Sequence, residues 1–146
     1  MKRVLHAAAI PALAASVATT AIAATGASSA LSVHQTHIGR TVVDGRGRTL
    51  YMFKRDHLKM SSCSGACLSV WPAMTARLTP RAVGGAISAK VGTIQAHGRR
   101  QVTYAGHPLY YYVGDRKAGD VRGQGLNQFG GKWYALRPSG RVIDDD

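Results

Sequence analysis

Cys63 and Cys67 are the only cysteines in the chain, and they stand four residues apart across Gly65. A lone pair at this spacing has two chemistries. In an oxidising compartment it closes a disulfide. Kept reduced, with soft or imidazole donors at hand, it binds copper or works as a redox pair. His57, Met60 and Met74 lie close enough in sequence to complete a copper set around Cys63 and Cys67. Asp56 and Asp115 are a second candidate, because paired carboxylates divide acid and base roles in glycosidases. Against it, the chain contains no Glu, and each Asp is explained locally as a strand-end cap accepting backbone N–H groups. Asp44 and Asp120 sit in Gly-rich turns. His34, His37, His57, His97 and His107 form a third set, but zinc needs three or four convergent ligands and their spacing offers no such box. Tyr51, Phe53, Tyr110, Tyr112, Trp71 and Trp133 form a fourth, a stacking platform for sugars or bases. A small domain with two Phe, two Trp and six Tyr needs most of them inside, so core is the favoured role. Nucleophile signatures and phosphate loops are absent, since Gly123-x-Gly125 and Gly130-Gly131 precede no helix. No catalytic or cofactor-binding constellation stands out, and the pattern points away from an enzyme.

The elements that position these residues come from a repeat. Leu50-Tyr51-Met52-Phe53 followed by Asp56 returns as Leu109-Tyr110-Tyr111-Tyr112 followed by Asp115, at an offset of 59. At that offset Val43 matches Val102 and Gly47 matches Gly106. Thr49, Tyr51 and Phe53 share one face of a strand, and Leu50 and Met52 share the other, so the strand is expected to be central and covered on both sides. Asp56 has the opposite parity to Tyr51 and falls beyond the strand end. Thr41–Val43, Asp44-Gly45 and the run to Phe53 read as a hairpin. His97-Gly98 turns Val91–Gln95 back into Gln101–Tyr104, Leu109–Val113 is a strand, and Lys132–Leu136 is another. Ala66–Val70 predicts a short helix stopped by Pro72. On a helix, residues four apart share a face, within reach of a disulfide. That loop is small and stabilises by about 2 kcal/mol in the chain-entropy model.

Lys2 and Arg3, the apolar run to Ala18 and Ala21-Ile22-Ala23 predict a signal peptide over 1–23. Residues 24–36 are expected to be a disordered tail. Residues 37–143 then form one domain of two repeats, 37–74 and 91–138, joined by a 75–90 connector. No Cys lies near the cleavage site, so free secretion without a lipid anchor is expected, and the mature chain should have no transmembrane segment. The formal charge is +12 over 146 residues, and three of the seven acidic residues are Asp144, Asp145 and Asp146. A secreted basic protein meets anionic cell-envelope polymers, which are the partner class this charge points to. No run of five basic residues exists, and specific nucleic-acid binding is not expected. A monomer is expected.

With these residues in hand, the chain resembles the secreted-repeat lipoprotein family built on Tyr-x-(Phe/Trp/Tyr)-x-x-Asp in tandem. Tyr51, Phe53 and Asp56 carry the first copy, and Tyr110, Tyr112 and Asp115 the second. Cys63-Ser64-Gly65-Ala66-Cys67 with Trp71-Pro72, Gly106-His107-Pro108, and Gly130-Gly131-Lys132-Trp133-Tyr134 also resemble it. The resemblance implies architecture and compartment but no chemistry. The expected fold is mainly β: two tandem antiparallel repeats packed as one small barrel or sandwich, with a short helix near Cys63–Trp71. The expected role is a secreted, non-enzymatic binding or structural module of the bacterial cell envelope. The alternative is a redox or copper-handling protein using Cys63 and Cys67.

Overall fold

Short β-branched and aromatic runs, broken by glycine turns, build three small sheets. The computed structural model describes residues 29–144, and the expected signal peptide lies outside them. In order come β1 (Ala30–Thr36), β2 (Gly39–Asp44), β3 (Tyr51–Phe53), α1 (Ala66–Val70), β4 (Arg81–Ala82), a 3-10 turn (Ser88–Lys90), β5 (Val91–Ala96), β6 (Arg99–Tyr104), β7 (His107–Pro108), β8 (Asn127–Gln128) and β9 (Gly131–Ala135). The sheets run β2-β1-β4, β3-β9-β8 and β5-β6-β7. They do not close into a barrel; the packing is sandwich-like.

The two repeats are visible as two equivalent hairpins. β1 and β2 pair from Leu31↔Asp44 to Thr36↔Gly39, and β5 and β6 pair from Val91↔Tyr104 to Ala96↔Arg99. His97 (φ 52°) and Gly98 (φ 72°) make the second turn in the left-handed region that a two-residue hairpin favours. Val42 N–H donates to the Leu136 carbonyl and Val102 N–H to the Met74 carbonyl, both at 2.8–2.9 Å. The structure therefore aligns Val42, not Val43, with Val102. One extra residue in the Asp44–Arg48 turn absorbs the slip before Tyr51 meets Tyr110. That turn does reverse the chain: Asp44 N–H bonds the Arg48 carbonyl at 2.9 Å, and Val43 bridges Thr49.

Order begins earlier than the sequence reading placed it. Residues 30–36, assigned to a disordered tail, form β1, and His34 lies within that strand. Leu31 is fully buried, and Ala30 and Leu31 pair in parallel with Arg81 and Ala82. The partner that orders β1 on its second edge comes from the 75–90 segment, which therefore contributes β4 rather than only connecting repeats. Leu109–Val113 also differs. Only Tyr110 bridges, to Tyr51 and to Ala73, and the segment then runs on single bonds from Tyr111 N–H to the Pro72 carbonyl and Val113 N–H to the Val70 carbonyl. Pro72 has no N–H to return, so a continuous ladder cannot form there.

β3 is central. Tyr51–Phe53 pairs with Ala135–Trp133 on one side and bridges Tyr110 on the other. Leu50 and Met52 point into a core with Leu31, Val42, Met74, Val102, Tyr104, Leu109 and Leu136. Tyr51 and Phe53 point into a second core with Cys63, Cys67, Trp71, Tyr110 and Trp133. Each large apolar side chain so covered contributes about 1.5–3 kcal/mol.

Candidate functional site

The repeat motif meets itself at the centre of the molecule. Tyr51 N–H donates to the Tyr110 carbonyl at 2.8 Å, and Tyr110 N–H donates to the Tyr51 carbonyl at 2.9 Å. A pair that exchanges both bonds is the natural axis of an approximate twofold. Across it the side chains swap. Tyr51 OH donates to Asp115 Oδ2 at 2.6 Å, and Tyr110 OH donates to Asp56 Oδ2 at 2.8 Å. The aspartates also accept backbone N–H groups, as a local cap should: Asp115 from Arg122 at 2.8 Å and Asp56 from Ser62 at 2.7 Å. Those donors lie six and seven residues ahead, so each carboxylate staples the loop that follows it. The local-cap reading is thus incomplete. Parity held the missing signal: Asp cannot reach the Tyr of its own motif, so a swapped partner was available.

Burial pushes both carboxyls above the usual range, and the tyrosine and backbone donors pull against it. Burial, followed by the aspartate bond, raises Tyr51 strongly; burial also dominates the rise at Tyr110. His107, beside Asp56, is lowered by burial. These hydroxyls stay protonated and donate. Asp56 and Asp115 each face a tyrosine rather than one another. Each tyrosine–aspartate bond joins one copy of the motif to the other, so the arrangement clasps the two repeats together.

The aromatic residues form one stack. Phe53 lies on Trp133 (centroids 4.0 Å), Trp133 on Trp71 (4.0 Å) and Trp71 on Tyr112 (4.5 Å). Tyr51 and Tyr110 set their edges against Trp71 and Trp133 at 5.4 and 5.2 Å. Each Trp is therefore sandwiched between two rings of the other repeat, and of the six only Tyr112 is more than marginally exposed. Five of the six rings are core, and only Tyr112 reaches a surface cleft. Gly123 belongs to the same packing: a Cβ there would come within 2.8 Å of Trp71 and 2.9 Å of Tyr51. Its place in the Gly-rich loop follows from close approach, not from phosphate binding.

Cys63 and Cys67 form a disulfide at a Cα separation of 5.4 Å, at the start of α1, and both are buried in the second core. In this form neither sulfur is a thiolate. Met74 lies in the first core, while His57 and Met60 bridge one another in a turn where Met60 is 60% exposed. The structure does not gather these residues into one ligand set.

What the surface does present is positive charge. Removing Lys2 and Arg3 from the 19 basic residues leaves seventeen in the described region. Among the described residues there is a single ion pair, Arg122–Asp120, at 4.0 Å. The reason is the use made of the acids. Asp44 accepts from Arg46 N–H, Arg48 N–H and Tyr111 OH. Asp56 and Asp115 are committed to the clasp. Asp120, lowered by the Arg116 backbone bond above all, caps its own turn. Backbone and tyrosine donors take up these four carboxylates, and the described region keeps a large excess of cations.

Three open clefts carry that charge. One, about 310 Å³, is lined by Arg48, Pro72, Tyr111, Tyr112 and Val113, with the Arg48 guanidinium 5.0 Å from the Tyr111 ring centre. A second, about 470 Å³, is lined by Thr75, Ala76, Arg77, Arg99 and Arg100. The third, about 460 Å³, holds Lys59 and Lys90 among small residues. Arg99 and Arg100 are neighbours in sequence, but Arg77 joins them only through the fold.

The fold and its clasp define a class: a β module of two repeats whose motif residues interlock across an approximate twofold. Residues 32–75 and 87–137 match the Lipoprotein_15 family, described as a secreted repeat of unknown function, and the chain belongs to that family. No curated protein and no solved structure matches it. No helix among the described residues is long and apolar enough to cross a membrane.

Proposed function

We propose that the protein is a non-enzymatic binding module that holds anionic polymers of the bacterial cell envelope through its cationic surface. One observation carries this reading: seventeen basic side chains in the described region face a single ion pair. Asp44 and Asp115, two of the acids that would offset the field, are buried. Attraction of this kind acts over a screening length of about 8 Å at physiological ionic strength and about 3 Å at 1 M salt. The test is retention of the purified protein on beads bearing an anionic wall polymer, with uncharged polysaccharide beads as control. Retention should be selective for the anionic beads and fall steeply with added salt. Retention undiminished at 1 M salt, or equal on both supports, would overturn the reading.

A further inference from the structure

We propose that Arg77, Arg99 and Arg100 form a recognition cleft for the phosphodiester groups of such a polymer, an inference that rests on the polyanion-binding reading above. Arg99 and Arg100 open β6 just after the His97-Gly98 turn. Arg77 arrives from the other side, because the chain after Trp71 runs antiparallel to β6: Thr75 bridges Gln101, and Ala76 N–H bonds the Arg100 carbonyl at 3.1 Å. Arg100 Nη1 donates to the Arg77 carbonyl at 2.9 Å, which fixes one guanidinium in the cleft lining. Arg100 is half-buried, whereas Arg77 and Arg99 are exposed, and neither of their side chains makes a hydrogen bond or ion pair among the described residues. Two free forks therefore stand beside a pre-set third, with no carboxylate lining the cleft.

Guanidinium forks match the oxygens of phosphate in a bidentate way, which ammonium groups do not. The lining contains three arginines and no lysine. It also contains no aromatic ring. Nucleic acid bound as a single strand draws much of its affinity from base stacking. A cleft that grips phosphate and offers nothing to a base suits a phosphodiester chain without bases, such as a poly(glycerol phosphate).

The experiment compares binding of poly(glycerol phosphate), a uronic acid polymer and a single-stranded oligonucleotide to four forms of the full chain. They are the wild type, R77Q/R99Q, R77Q/R99Q/R100Q, and the charge-matched R116Q/K117Q/R141Q. The double variant removes no bond that the fold uses and guards against misfolding of the triple; circular dichroism checks all four. The expected result is tightest wild-type binding to poly(glycerol phosphate). The triple should weaken it at least about tenfold and lower the salt slope by about 2 to 3, as removal of three phosphate contacts predicts. The double should lie between, and the control should stay near wild type. Equal losses in the cleft and control variants would overturn the cleft while leaving the polyanion reading standing. A preference for the uronic acid polymer would overturn the phosphodiester assignment, and a preference for the oligonucleotide would overturn the assignment to a chain without bases. No wild-type binding to any of the three would overturn the polyanion reading, and the cleft with it.

Discussion

Tyr51→Phe removes one oxygen from a site that is fully buried, and the fold assigns that oxygen two tasks. It donates to Asp115 at 2.6 Å and accepts Gly123 N–H at 3.2 Å. A hydrogen bond to a charged group is worth about 1.5–3 kcal/mol, and an orphaned buried donor adds to the loss. Tyr51→Phe should therefore cost about 2–3 kcal/mol. Asp115→Ala should cost about the same or more, since it orphans Tyr51 OH and Arg122 N–H together. A purely local cap would cost only about 1 kcal/mol. The double-mutant cycle separates the two accounts. Tyr51→Phe with Asp115→Ala should show a coupling of about 1–2 kcal/mol, although the residues are 64 apart in sequence. Tyr51→Phe with Asp56→Ala, only five apart, should be additive within about 0.5 kcal/mol. The partner substitution Tyr110→Phe should cost less, about 1 kcal/mol, because Asp56 keeps both Ser62 donors at 2.7 and 2.8 Å. The assay is urea unfolding of each form, with stability from linear extrapolation. Additivity of the 51/115 pair, or coupling of the 51/56 pair in its place, would refute the swapped clasp.

Two further outcomes follow from the same core. Trp71→Ala empties the middle of a four-ring stack and should cost about 3–5 kcal/mol, more than the about 2 kcal/mol lost on reducing Cys63–Cys67. Urea midpoints in which reduction is the larger effect would contradict this ranking. Asp115 titrates above the ordinary carboxylate value because burial penalises its charge. A raised folded pKa stabilises fully below the unfolded value of about 3.9 and is lost as pH rises through the folded value. The stability of wild type minus that of Asp115→Asn should therefore fall as pH is raised from about 4 towards 7, read by urea unfolding at each pH. A difference that grows with pH would show that the tyrosine and backbone bonds outweigh burial.

The sequence by itself determined much of the plan: a mainly β chain, two copies of one motif, the only two cysteines four apart, and aromatics at strand spacing that had to be core. These follow from local physics. Strand alternation assigns Tyr51 and Met52 to opposite faces, and glycine turns mark where the chain reverses. Other features depended on contacts between distant segments. β1 begins in an Ala- and Ser-rich stretch with no ordering signal of its own, and it is held by β2 and by the 75–90 segment. The repeat register slips from 59 to 60 because the Asp44–Arg48 turn holds one residue more, and identity matching aligned Val43 where hydrogen bonding selects Val42. The strand after Tyr110 ends early because Pro72, on the segment opposite, cannot donate. The exchange of Tyr51 with Asp115 and Tyr110 with Asp56 has no local cause. It exists only once the two copies are placed antiparallel at one bridge. The approach of Arg77 to Arg99 and Arg100 has the same origin, since residues 22 and 23 apart become neighbours only when β6 pairs with the chain beyond Trp71.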